Sequence, residues 1–393
     1  MPALVICGVL GVSAGTVYAL NWSGTTEQGF PLQPDGDVGV STSGLTLENG
    51  GSSSVDFPEE LADLGGRPMG LAFDGNGDLW FTSTNSKGQV LLGMRTGSGT
   101  VERYVLPGQV GGFPKLAISD DGEPVVGVYQ KIFVVDPKTV EYRIFELEAA
   151  SQSESLDPET LPQAAGAVVN LKVSSNTAYV SRYGMSSIMA LDLESGESSE
   201  TPISRAFGGF DDFAVLGEDI WLVKTNDTLG GPPSQLGILR GGQLQIISRK
   251  VISAAATTDE LIVATWDDTG VGQASSEGFR EFQPSGQASD MLARLGPETL
   301  IGPVSQDQYW VTDPSQNMVA WIDQSGGSSA VFELPTWSFD ASSLVCPISD
   351  YGNECGGVEH VPTRVVALAV SPGGDLYIAD ETKNRIGIVK APE

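Results

Sequence analysis

One phrase occurs twice in this chain, about three hundred residues apart. The first copy runs Arg67-Pro-Met-Gly-Leu-Ala-Phe-Asp-Gly-Asn-Gly-Asp-Leu-Trp-Phe-Thr, the second Arg364-Val-Val-Ala-Leu-Ala-Val-Ser-Pro-Gly-Gly-Asp-Leu-Tyr-Ile-Ala. Each is an apolar strand, a Gly/Asp turn and a second apolar strand. Self-similarity over such a distance constrains the chain to a repeat fold, in which one supersecondary unit buries its faces only against its neighbours. Helical spacing is nearly absent outside the first twenty residues, so the unit is a β-meander.

Seven such units can be marked: Arg67 to Pro107, Phe113 to Leu147, Val168 to Ile203, Phe210 to Ser248, Val251 to about Gln287, Glu298 to Pro335, and Thr363 to Lys390. The seventh stops after three strands. Ser54-Val-Asp-Phe-Pro resembles the fourth strand of other units, such as Ala330-Val-Phe-Glu-Leu-Pro, and would remove the unpaired edge at the seam. The expected fold is therefore all-β: a seven-bladed β-propeller of four-stranded antiparallel blades over residues 51–393, closed by an N-terminal strand completing the last blade. Trp80, Trp221 and Trp310 fall on second strands and are expected between blades.

Composition narrows the function. With 21 basic against 50 acidic residues the formal net charge is −29, so the clustered cations that displace counterions from nucleic acid are lacking. The same charge disfavours anionic lipid. Residues 3 to 20 form an apolar run without a charge, ending in Val17-Tyr-Ala-Leu. It suits either a removed signal peptide or a retained membrane anchor, and both place the remainder outside the cytoplasm. Residues 21–50, rich in Gly, Ser, Thr and acids, have the composition of a linker or arm. Cys346 and Cys355 bracket a loop of turn residues and are expected to form a local disulfide worth roughly 3 kcal/mol. Asn21 and Asn226 begin glycosylation sequons.

The phrase Gly70-Leu-Ala-Phe-Asp-Gly-Asn-Gly-Asp-Leu-Trp-Phe-Thr, with Lys87-Gly-Gln-Val and Tyr104-Val-Leu-Pro after it, resembles the blade repeat of streptogramin (virginiamycin B) lyase-like propellers, relatives of the NHL-repeat propellers. Asp380-Glu-Thr-Lys-Asn-Arg-Ile-Gly is similar to that family's turn between second and third strands. The resemblance implies the architecture. Lyase chemistry in that family uses a histidine base about fourteen residues before an acid that ends the Trp-Phe-Thr phrase, with carboxylates holding Mg²⁺. Here the terminal positions are Ser83, Asp313 and Asp380, and fourteen residues earlier stand Met69, Thr299 and Val366. The single histidine, His360, lies in the loop before the last unit, so the catalytic base is not matched.

Long insertions fall in blade-to-blade loops (148–166, 336–363) and second-to-third-strand loops (225–235, 267–278), which open on one face; turns on the other are short. Loop elaboration on a rigid scaffold is where binding is built. Residues expected on that rim include Arg67, Arg182, Tyr183, Lys224, Trp266 and Arg364 for a ligand. Asp267, Asp313 and Asp380 are the acids able to offer oxygen to Ca²⁺ or Mg²⁺, and Asn226, Asp227, Asp268 and Glu381 complete the rim. The disulfide loop, carrying Trp337, Phe339 and Tyr351, can serve as a lid or a partner surface. No Gly-x-Ser-x-Gly elbow accompanies His360. The functional expectation is a monomeric, exported, non-catalytic propeller that binds a protein or a small molecule such as a saccharide. The alternatives are a divalent-metal-dependent hydrolase or lactonase at the channel, or a streptogramin lyase-like enzyme.

Overall fold

The computed structural model describes residues 55–392, apart from the segments 148–165, 225–234, 266–270 and 340–359 and shorter breaks, with four short strands ahead of residue 55. Its sheets are antiparallel meanders arranged as the blades of a propeller. Blade I comprises Gly66–Phe73, Leu79–Asn85, Gln89–Arg95 and Val101–Val110. Blade II comprises Lys115–Ile118, Pro124–Val128, Lys131–Val135 and Tyr142–Glu146. Blades III to VI begin at Val168–Ser174, Asp212–Leu216, Val251–Ala256 and Leu300–Pro303, and each adds its next three strands in chain order.

The expectation of seven four-stranded blades is corrected here. Among the described residues, blades built from four consecutive strands number six, not seven. After blade VI comes a composite sheet: Val365–Val370, Leu376–Asp380 and Arg385–Val389, with the two residues Val55–Asp56 paired on Val389 and Ile388. Blades I, II and III are also not limited to four strands. Gln33–Pro34, Glu27–Gln28 and Tyr18–Leu20 pair on their outer edges. A further three-stranded sheet joins Leu45–Leu47, Thr336–Phe339 and His360–Pro362. Counting turn signals treats every meander as a whole unit and cannot see strands of two or three residues, whose pairing depends on the outer edge already being in place.

The first strand of each sheet lies beside the first strand of the next, and that of the composite sheet beside blade I, so the inner strands form a closed ring around a channel. Second strands are covered on both faces by neighbouring sheets, hence the uninterrupted burial of Pro124–Val128 and Leu376–Asp380 in place of alternation. Outer strands such as Gln243–Ile247 stay largely exposed. Trp80, Trp221 and Trp310 are all buried between sheets. The Trp310 indole also donates to the Gly374 carbonyl at 2.9 Å, tying blade VI to the composite sheet. The short turns share one chemistry. Asp74, Ser119 and Ser371 each accept from a glycine N–H three residues on (3.0, 2.9 and 2.9 Å), and those glycines, Gly77, Gly122 and Gly374, have φ of 83, 81 and 88°. That left-handed conformation favours a residue without Cβ.

At Gly387 the composite sheet admits no side chain: a Cβ there would lie 2.7 Å from both Phe57 Cε1 and Val55 Cγ1. Gly387→Ala is therefore expected to push Val55–Phe57 off the sheet and lower stability by about 1–3 kcal/mol, as overpacking does, measurable by urea denaturation. An unchanged midpoint would show that this two-residue pairing contributes nothing to the ring.

Candidate functional site

The loop-bearing end of the seam between blade I and the composite sheet concentrates charge. Arg67 begins the inner strand of blade I, Arg364 precedes that of the composite sheet, and Asp380 to Arg385 form the turn between its second and third strands. Glu381 forms an ion pair with Arg67 and lies 3.6 Å from Arg364. The backbone holds the frame: Glu381 N–H donates to the Arg364 carbonyl at 2.9 Å, and Arg364 N–H to the Thr382 hydroxyl at 3.1 Å. Asp380 is fully buried, accepts from Thr382 N–H at 2.9 Å, and lies 3.5 Å from Arg385 Nε. Arg385 in turn sits 3.5 Å over the Phe57 ring.

Of the residues expected on the rim, Arg67, Arg364, Asp380 and Glu381 are thus brought together, and they are occupied with one another. The Arg67 and Arg364 side chains are 42% and 59% exposed, so their pairing with Glu381 adds little stability. Arg182 is buried against Glu200 within blade III. Lys224 Nζ donates to the Phe207 carbonyl at 2.8 Å, fastening a loop. Tyr183 is exposed. Asp313 is fully buried, and among the described residues no three His, Cys, Asp or Glu side chains gather as a metal site. Trp266, Asp267, Asp268, Asn226, Asp227, Tyr351, Cys346 and Cys355 lie outside the described residues. The His360 backbone pairs with Ser338.

Two features were not anticipated from the sequence. Phe113, 64% exposed, stands just before the inner strand of blade II, and Val169 is exposed at the start of that of blade III. The channel itself holds a cavity of about 710 Å³ at its short-turn end, lined by the inner strands of the six blades and the composite sheet, mostly with aliphatic side chains and with Lys172. A lysine inside an otherwise apolar inner strand, as in Asn170-Leu-Lys-Val, is the sequence signal that could have revealed it.

Burial raises the Asp380 carboxyl to about 6, against the opposing pull of Arg385, and burial also lowers Arg385 to about 10. Desolvation outweighs the attraction of this pair for both members. A carboxyl with a raised folded pKa binds its proton more tightly folded than unfolded, so its contribution is complete below the ordinary aspartate value of 3.8 and is lost as pH rises through about 6. The unfolding free energy of wild type relative to Asp380→Asn should therefore fall by about 2–3 kcal/mol between roughly pH 4 and pH 7. Denaturant titrations of both chains across that range measure it; a pH-independent difference would show the carboxyl to be unperturbed.

No family model matches the chain, and no curated protein matches it. Solved structures do. Virginiamycin B lyase from Staphylococcus aureus superposes with TM-score 0.57 at 13% identity, over 88% of this chain and 100% of that one. A streptogramin B lyase gives 0.58 at 12%, over 88% and 97%. The WD40 β-propeller domain of Doa1 gives 0.52 at 10%, over 87% and 98%. At such identities the likeness is one of fold. The chain has a virginiamycin B lyase-like β-propeller architecture.

Proposed function

We propose that this propeller is a non-catalytic binding protein that engages a protein partner through its loop-bearing face. The observation that carries this reading is the placement of exposed apolar side chains. Phe113, Val169, Tyr183 and Ile246 are the large hydrophobics exposed among the described residues. The first three stand at the loop-bearing ends of the adjacent blades II and III. Val168 N–H donates to the Tyr129 carbonyl at 2.7 Å and Tyr183 N–H to the Ala167 carbonyl at 2.7 Å, so the patch rests on a fixed frame. Aromatic side chains on a rigid frame lose little entropy on docking and dominate interface energies. The uncharged apolar run 3–20 supports export of the rest of the chain.

The charged seam does not compete as a catalytic centre in this reading, because its carboxylates are committed to arginines. A metal-dependent hydrolase needs several oxygen ligands converging on one cation. Calorimetric titration with Ca²⁺ and Mg²⁺ is accordingly expected to give no saturable heat, and a site of micromolar affinity would restore that alternative.

Phe113→Ser combined with Tyr183→Ser should leave the thermal midpoint within a few degrees of wild type, since both side chains are exposed. In affinity capture from the protein's own secreted fraction, a partner retained by wild type and lost by the double variant is the expected result. Identical retention by both would remove this face as the binding surface.

A further inference from the structure

The short-turn end of the channel is built unlike the spaces between sheets. Between sheets, apolar residues are covered. Around the cavity of about 710 Å³, Phe73, Leu116, Ile118, Val173, Leu368 and Val370 remain only half buried although they lie at the centre of the molecule. An apolar wall left uncovered inside a closed ring is surface available to a ligand, and this volume falls in the range of small-molecule sites.

The polar groups beside that wall carry a sign. Lys172 lines the cavity, and Lys115, which starts the neighbouring inner strand, stands one residue before the lining residue Leu116, on the side away from the short turns. Burial holds the Lys115 ammonium below the ordinary lysine value; Asp212 opposes that effect and Lys172 adds to it. Asp212, which begins the inner strand of blade IV, is the acid acting on Lys115, and its Oδ1 already accepts from Phe213 N–H at 2.8 Å. Among the described residues, two ammonium groups against one partly committed carboxylate leave a positive excess here, in a chain whose formal net charge is −29. An anionic group entering the channel would satisfy it through charge-assisted hydrogen bonds.

We propose that the short-turn end of the channel binds an amphipathic monoanion, an aliphatic carboxylate, whose head group sits at Lys172 and Lys115 and whose chain lies along the half-buried wall from Leu116 to Leu368. Lys172 and Lys115 are binding residues in this site, which opens at the short-turn end with Lys115 at its inner limit, and neither lysine belongs to the Phe113–Tyr183 patch.

Calorimetric titration of the full chain with decanoate, decanol and decyltrimethylammonium, each below its micellar concentration, tests the site. Decanoate should bind once per chain. Decanol, which keeps the tail and lacks the charge, should bind about tenfold or more weakly, as loss of a charge-assisted hydrogen bond implies, and the cation should give no saturable heat. Lys172→Met and Lys115→Met should each weaken decanoate by about tenfold and leave decanol unchanged, while Lys172→Arg retains decanoate binding. The Phe113→Ser/Tyr183→Ser chain should bind decanoate as wild type does. Absence of saturable decanoate binding, equal affinity for all three probes, or decanoate affinity unaltered in a folded Lys172→Met chain would each overturn the proposal. Should either methionine variant lose its thermal transition, the wild-type comparison of decanoate with decanol decides alone.

Discussion

The contact between blade I and the composite sheet is what makes the remaining structure possible. Leu71, Leu79 and Phe81 from one side meet Ala369, Tyr377 and Ile388 from the other, with the 3-10 turn Glu59–Leu61 adding Leu61 beneath. Phe73 meets Tyr377 edge to face with ring centroids 4.9 Å apart, a geometry that adds to simple burial. Without that contact the first and last sheets would each expose a face that no water-soluble sheet can leave bare. Equivalent clusters, with Trp221 between blades IV and V and Trp310 between blade VI and the composite sheet, repeat the arrangement around the ring. Because every sheet is packed on both sides, burial reaches second and third strands alike, and polarity is left to the outer strands, the loops and the channel.

Closure also defines two chemically different ends. At the loop-bearing end, the charged groups of the seam pair with one another: Arg67 of blade I with Glu381 of the composite sheet and, within that sheet, Arg364 with Glu381 and Asp380 with Arg385. At the short-turn end the inner strands converge with aliphatic side chains and Lys172, with Lys115 further along the channel. The binding surface and the channel are therefore separate products of one ring, since inner strands set the channel and the connections between strands set the face.

Much of the fold was legible in the sequence because it is written in local chemistry. The Asp74-Gly-Asn-Gly and Ser371-Pro-Gly-Gly turns need a left-handed glycine, and apolar strands on either side announce a meander. The burial of Trp80, Trp221 and Trp310 and the location of the blade starts follow from that pattern. The count of blades did not, because a three-stranded terminal meander and a two-residue strand at Val55–Asp56 look like one more repeat when only turn signals are tallied. The candidate site was harder. Arg67, Arg364 and Asp380 come together at the seam, whereas Arg182 is a buried partner of Glu200 and Lys224 fastens a loop, distinctions set by side-chain direction across neighbouring strands. Phe113 and Lys172 went unnoticed for the same reason: an exposed aromatic or an inward lysine is defined by what does not cover it, and covering is a property of the assembled ring.

The pairing of Val55–Asp56 with Ile388–Val389 joins segments near opposite ends of the polypeptide. Each blade from I to VI can form from neighbouring residues as soon as they are available, so most contacts are local and quick to find. The last register is the reverse: it requires the whole meander series to exist before two residues can dock. Until then the nascent chain carries an open β edge and two bare apolar faces, the condition under which chains associate with one another. Sealing of the ring, by the apolar contact with blade I and by this two-residue strand, is thus the step of biosynthesis most exposed to misassembly.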